Sequence, residues 1–172
     1  SAASQLMAVG LRQEGLRVFK RNLGFVGADP EYNDAIYGAA FSRDGRLAVA
    51  GLDGSLRIYT FGKSGLERLA RKQMPGKPYG VAWSPDGKTL FAAGSVVRSG
   101  RFAVLAFAGG GRESAREIGS FGNTVTGLAS HAGGLLASSA EPGWASFDAS
   151  GASRFQVGAR NGDFRDAGDA FR

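Results

Sequence analysis

The chain has no cysteine and a single histidine, His131, among its 172 residues. Without thiols there is no disulfide framework and no thiolate metal site. That is compatible with the cytosol, where the chain is expected to reside. A structural zinc site takes several converging His or Cys side chains, so it is excluded. A Ser-His-Asp triad would have to use His131 as its base, yet no Ser-Gly nucleophile signature stands near it. No apolar run approaches the roughly 18 residues of a membrane-crossing helix, and no segment sustains a helical period. Acidic residues are outnumbered 15 to 21, leaving a net charge of +6. The arginines are scattered singly: Arg12, Arg17, Arg46, Arg57, Arg98, Arg112, Arg154 and Arg165. A phosphate-binding surface needs a clustered basic patch, so nucleic acid is not expected as a partner. Arginine on exposed strand faces is the simpler reading.

Glycine, by contrast, is abundant. The 28 glycines are more than twice the average share of about 7%, as many tight turns between short strands require. The stretch Ala35–Phe61 shows the arrangement. Apolar runs at Ala35–Phe41, Leu47–Ala50 and Leu56–Phe61 are separated by Ser42-Arg43-Asp44-Gly45 and Leu52-Asp53-Gly54-Ser55. Asp-Gly between apolar runs is a strong hairpin signal, because glycine accepts a positive φ without a Cβ clash. The stretch is therefore a three-stranded antiparallel meander.

The pattern repeats. Phe41-Ser42-Arg43-Asp44-Gly45 is matched by Trp83-Ser84-Pro85-Asp86-Gly87, more faintly by Ser130-His131-Ala132-Gly133-Gly134, and a last copy begins at Asp169-Ala170-Phe171-Arg172. Phe19, Tyr59, Phe107 and Phe147 keep the same beat, and Leu6–Phe19 resembles Leu47–Tyr59. A period of about 40–45 residues holding four strands is that of a β-propeller blade. On these residues the chain resembles the WD40 repeat family, most strongly over residues 35–94. The family's Trp-Asp dipeptide is absent; Tyr59-Thr60, Phe107-Ala108 and Phe147-Asp148 stand in its place. The resemblance implies an all-β, WD40-like propeller fold. It does not imply the hydrogen-bonded tetrad of typical WD40 blades.

A propeller reading divides the chain into a partial blade over residues 1–28, blades at about 35–74, 78–119 and 123–158, and a first strand of the next blade at 164–172. The second blade has a long inner hairpin, Ser95–Gly100. About three full four-stranded blades plus a split fourth can be completed in three ways: as part of a larger propeller finished by another polypeptide segment, as half of a homodimeric ring, or as a closed four-blade ring. The first is favoured here, because natural boundaries do not usually leave strand edges unpaired.

His131, Asp44, Asp53 and Asp86 sit in turns and have structural explanations. Gly109-Gly110-Gly111 joins two strands rather than a strand and a helix, so a hairpin fits better than a phosphate cradle. No cofactor and no metal are expected. The resemblance implies a rigid, non-catalytic platform for protein partners. Its contact residues would lie on the rim loops joining fourth to first and second to third strands: Tyr32, Asp53, Lys77, Arg98, Arg101, Asn123, Glu141 and Trp144. The Gly/Ala/Arg-rich composition looks bacterial, where such repeats resemble those attached to signalling proteins and caspase-like proteases. A propeller hydrolase or lactonase, and a proteolytically processed partner or substrate of a caspase-like protease, are the alternatives.

Overall fold

A computed structural model describes residues 5–12 and 14–158. The expected first strand at 164–172 lies outside them. The described chain is all-β, in four antiparallel sheets of consecutive strands. The first sheet has three strands, β1 (Leu6–Leu11), β2 (Gly15–Lys20) and β3 (Phe25–Asp29). The second holds β4 (Ile36–Phe41), β5 (Leu47–Gly51), β6 (Ser55–Gly62) and β7 (Gly65–Gln73). The third holds β8 (Gly76–Trp83), β9 (Leu90–Arg98), β10 (Arg101–Phe107) and β11 (Ala115–Phe121). The fourth holds β12 (Val125–His131), β13 (Gly134–Ser139), β14 (Gly143–Phe147) and β15 (Ser153–Val157). The first strands β4, β8 and β12 abut one another in succession, so the sheets converge on them, as the vanes of a propeller do.

Strand alternation explains why each sheet needs its neighbour. Successive side chains point to opposite faces. In the second sheet Leu47, Val49 and Tyr59 face the first sheet and form one core with Leu16 and Val18. Ala48, Ala50, Leu56 and Ile58 face the third sheet and pack with Leu90, Ala92, Leu105 and Phe107. The third sheet repeats this toward the fourth: Phe91, Ala93, Val104 and Ala106 meet Leu135, Ala137, Ala145 and Phe147. Burying each of the larger side chains contributes about 1.5–3 kcal/mol. Both faces of the two middle sheets are thus covered, and β5 is buried along its whole length.

One expectation is corrected. The second hairpin of the third sheet is not long. β9 runs on to Arg98, and Ser99 and Gly100 alone turn the chain, with φ of 47° and 73°. Two successive positive φ values are what a tight hairpin with right-handed strand twist requires. The Gly109–Gly111 segment joins the antiparallel strands β10 and β11, as expected. All three residues have positive φ, and a Cβ on Gly111 would collide with Ile58 Cδ1, so the turn is packed against the sheet interface.

The turn aspartates behave as their sequence context indicates. Asp44 and Asp86 accept hydrogen bonds from Ser42 Oγ and Ser84 Oγ at 2.5 and 2.6 Å. Trp83 donates through Nε1 to the Ala40 carbonyl at 3.0 Å, and Arg46 caps its ring with the guanidinium carbon 4.7 Å from the centroid.

Candidate functional site

One end of the array carries the fourth-to-first and second-to-third connections, and two different constructions meet there. The first is internal. Arg57 on β6 has a fully buried side chain, contrary to the expectation of an exposed strand face. It donates to Asp29 Oδ2 at 3.1 Å, to Asp53 Oδ2 at 3.3 Å and to the Glu31 carbonyl. Tyr59 Oη donates to Asp29 Oδ2 at 2.7 Å and lies 2.8 Å from Tyr32 Oη. Arg68 closes the outside of the cluster onto Asp29 and Glu31. A buried charge is tolerable only when paired and hydrogen-bonded, and every member here is satisfied.

The electrostatics follow from that geometry. Burial pushes the Asp29 carboxyl up, but the Tyr59 hydroxyl, the Glu31 amide and Arg57 outweigh it and hold the group below the usual carboxylate range. Asp53 is lowered against the same burial by the Ser55 hydroxyl and amide and by Arg57. Tyr32 and Tyr59 are both pushed well up by burial and stay neutral. The cluster joins the first sheet to the second, and its chemistry is structural.

This placement corrects two of the expected contact residues. Tyr32 is 6% exposed and the Asp53 side chain 5%, because both are spent on Arg57. The others lie elsewhere. Lys77 is exposed at the start of β8, and Arg98 is half-buried at the end of β9. Arg101 reaches along its sheet to Ser120 Oγ at 3.0 Å and shares a hollow of about 190 Å³ with Glu141 and Gln156. Asn123 is exposed, its side-chain oxygen taken by the Thr124 amide. Trp144 is 44% exposed and meets Phe155 edge-on at 4.6 Å. The rim residues do not form one site.

The second construction is open. In each full sheet the first strand slips register against the second at one place: Ile36/Gly38, Pro78/Gly80 and Val125/Gly127. The residue left out of the ladder is Tyr37, Tyr79 or Thr126. A bulge of this kind re-aims its side chain. Tyr37 is 66% exposed, and its ring leans on that of the half-buried Tyr79 at an interplanar angle of 48°, with centroids 5.3 Å apart. Gly38 makes this approach possible, since a Cβ there would stand 2.6 Å from the Tyr79 carbonyl. Two adjacent sheets thus present a pair of amphipathic rings where the innermost strands converge. The sequence carried a signal for them: Tyr37-Gly38, Tyr79-Gly80 and Thr126-Gly127 occupy one repeat position.

Among the described residues, no three His, Asp or Glu side chains are placed to hold a metal ion, and no helix is long and apolar enough to cross a membrane. His131 is exposed, with Nδ1 accepting from the Gly133 amide at 3.0 Å.

Comparison with known proteins agrees with this architecture. The family model "WD domain, G-beta repeat" matches residues 26–60. Among solved structures, the chain is similar to the computationally designed protein Ika8, at 13% identity and a TM-score of 0.70, over 92% of this chain and 48% of that one. It is also similar to Sqt1 of Chaetomium thermophilum, a WD40 protein, at 20% identity and a TM-score of 0.68, over 91% of this chain and 44% of that one. The chain therefore spans a little under half the length of either structure. No curated protein matches it in sequence. Residues 26–60 match the WD40 repeat, and the chain that carries them folds as an array of β-propeller sheets.

Proposed function

We propose that this chain is a non-catalytic protein-interaction module whose contact surface centres on Tyr37 and Tyr79. WD40 repeats generally mediate protein–protein interaction. The observation that carries the reading to this surface is the tilted tyrosine pair, Tyr37 exposed and Tyr79 half-buried, released by two consecutive bulges. Tyrosine offers large contact area with only two rotatable bonds and a polar tip, which makes it a frequent anchor at interfaces. A rigid scaffold beneath it keeps the ordering cost of binding low. The remaining rim positions, Lys77, Arg98, Arg101, Asn123, Glu141 and Trp144, would supply peripheral contacts. In the same reading the module is the recognition part of a larger bacterial signalling or protease-linked protein, supported by its Gly/Ala/Arg-rich composition, and further polypeptide completes the propeller.

Selection from a random peptide display library tests the proposal. Peptides enriched on the wild-type protein should lose binding at least tenfold to Tyr37→Ala and Tyr79→Ala, about 1.4 kcal/mol or more. Equal binding to both variants would remove the tyrosines from the surface.

A further inference from the structure

Of the four tyrosines, two are spent inside the protein. Tyr32 and Tyr59 lie with their hydroxyls 2.8 Å apart in the Arg57 cluster. Tyr37 and Tyr79 differ. Neither hydroxyl has a hydrogen-bond partner among the described residues, yet no buried side-chain oxygen there is left unsatisfied, so both reach the surface. Each ring therefore offers an apolar face and an unspent donor. The rings lean together at 48° with centroids 5.3 Å apart, an open angle rather than a closed stack. They stand on β4 and β8, which belong to different sheets, and each is left out of its own ladder. These two strands carry one charged residue between them, Lys77, and it is exposed.

We infer that the occupant of this angle is a proline-rich segment in the polyproline II conformation, flanked by an acidic residue. The inference rests on the reading that Tyr37 and Tyr79 centre the contact surface, and it names the class of partner. The recurring ways of holding a peptide narrow to this one. Adding a strand needs one continuous sheet edge, and the pair straddles two sheets outside both ladders. A helix needs anchors spread along a groove over successive turns, whereas these rings meet at a single place. A polyproline II segment needs only ring faces and isolated donors, because its backbone makes no internal hydrogen bonds and its carbonyls stand free. At a rise of about 3.1 Å per residue, two of its residues span the pair. Each pyrrolidine packs on a ring, and the tyrosine hydroxyls donate to the segment's carbonyls. The segment is already ordered before it binds, so docking costs it little entropy. Lys77, on the same strand as Tyr79, favours a carboxylate at the end of the segment and disfavours a lysine there.

Fluorescence anisotropy of a labelled octaproline with a glutamate at each end tests this. The peptide should bind the wild type, and Tyr37→Ala and Tyr79→Ala should each weaken it at least tenfold. Tyr37→Leu, which keeps an apolar side chain at the exposed position but no ring or hydroxyl, should weaken it similarly while leaving the melting temperature unchanged. An octaproline with lysine ends should bind the wild type more weakly, and Lys77→Glu should reverse that order. No binding of octaproline, or binding that the tyrosine variants retain, would overturn the inference. An order of ends that Lys77→Glu leaves unchanged would remove the acidic flank. Peptides from the display library separate this from the reading beneath it. Library peptides that need both tyrosines but carry no proline overturn only the proline-rich occupant. Library peptides indifferent to both tyrosines overturn the contact surface as well.

Discussion

The guanidinium of Arg57 lies over the ring of Tyr32, its carbon 3.6 Å from the ring centroid, although Tyr32 comes from the connection between two sheets and Arg57 from the middle of one. The tyrosine covers the cation from one side while Asp29 and Asp53 pair with it in the plane. The pair fastens the linker between the first and second sheets to the interior.

Arg57→Ala should therefore lower stability by about 3–5 kcal/mol, because it strands two carboxylates in a covered site. Arg57→Met, combined with Asp29→Asn and Asp53→Asn, should recover part of that loss. Urea unfolding followed by intrinsic fluorescence measures both. A loss under about 1 kcal/mol for Arg57→Ala, the range of a solvated pair, would mean that water reaches the cluster.

Acid should weaken the protein through the same cluster. Asp29 and Asp53 both sit below their ordinary value in the folded state, so the unfolded chain takes up protons first as pH falls. Their contribution is complete above the unfolded carboxylate value of about 4 and is lost progressively below it. Thermal melting from neutral to strongly acidic pH should show a flat region, then a fall starting near the unfolded carboxylate value of about 4. The fall should be smaller in the triple variant that combines Arg57→Met with Asp29→Asn and Asp53→Asn.

Trp83→Phe should cost about 1–2 kcal/mol. It removes the bond to the Ala40 carbonyl and leaves that acceptor short of a partner, while Arg46 loses the wider ring beneath it. Arg46→Ala should cost a similar amount, because its side chain is 18% exposed and, beyond Asp44, donates to the Gly87 and Gly110 carbonyls at 2.7 and 3.1 Å.

Two glycines with similar φ should respond differently to alanine. Gly45 has φ of 89° with open space around it, so Gly45→Ala should cost about 1 kcal/mol, the backbone penalty alone. Gly111 has φ of 83° and Ile58 Cδ1 in the way of a Cβ, so Gly111→Ala should add overpacking of about 1–3 kcal/mol. Equal losses in the melting temperature would show that the Gly109–Gly111 turn yields freely.

Turn chemistry made the fold legible. Ser42-Arg43-Asp44-Gly45 and Ser84-Pro85-Asp86-Gly87 dictate local geometry through their own side chains, and their recurrence set the period of the sheets. The proposed contact surface was less legible because it depends on register. Nothing local in Ile36-Tyr37-Gly38 says that Tyr37 falls out of the ladder; that follows from how β4 meets β5 and β8. Arg57 misled for a related reason. An arginine alternating with Leu56 and Ile58 reads as a solvent face, and only the arrival of Asp29 from another sheet makes burial tolerable. Tyr32 and Asp53 were drawn to the rim by their place in the chain, and the same cation took them inside.

Because the register slip recurs at Tyr37, Tyr79 and Thr126, the scaffold offers one interchangeable socket per four-stranded sheet. The hydrogen-bond ladder does not depend on what fills it. Thr126→Tyr would lengthen the aromatic row by a third ring without touching any core layer, and other residues could be installed at the same three addresses. On the proposed reading, recognition can then diversify by single substitutions while the architecture stays unchanged.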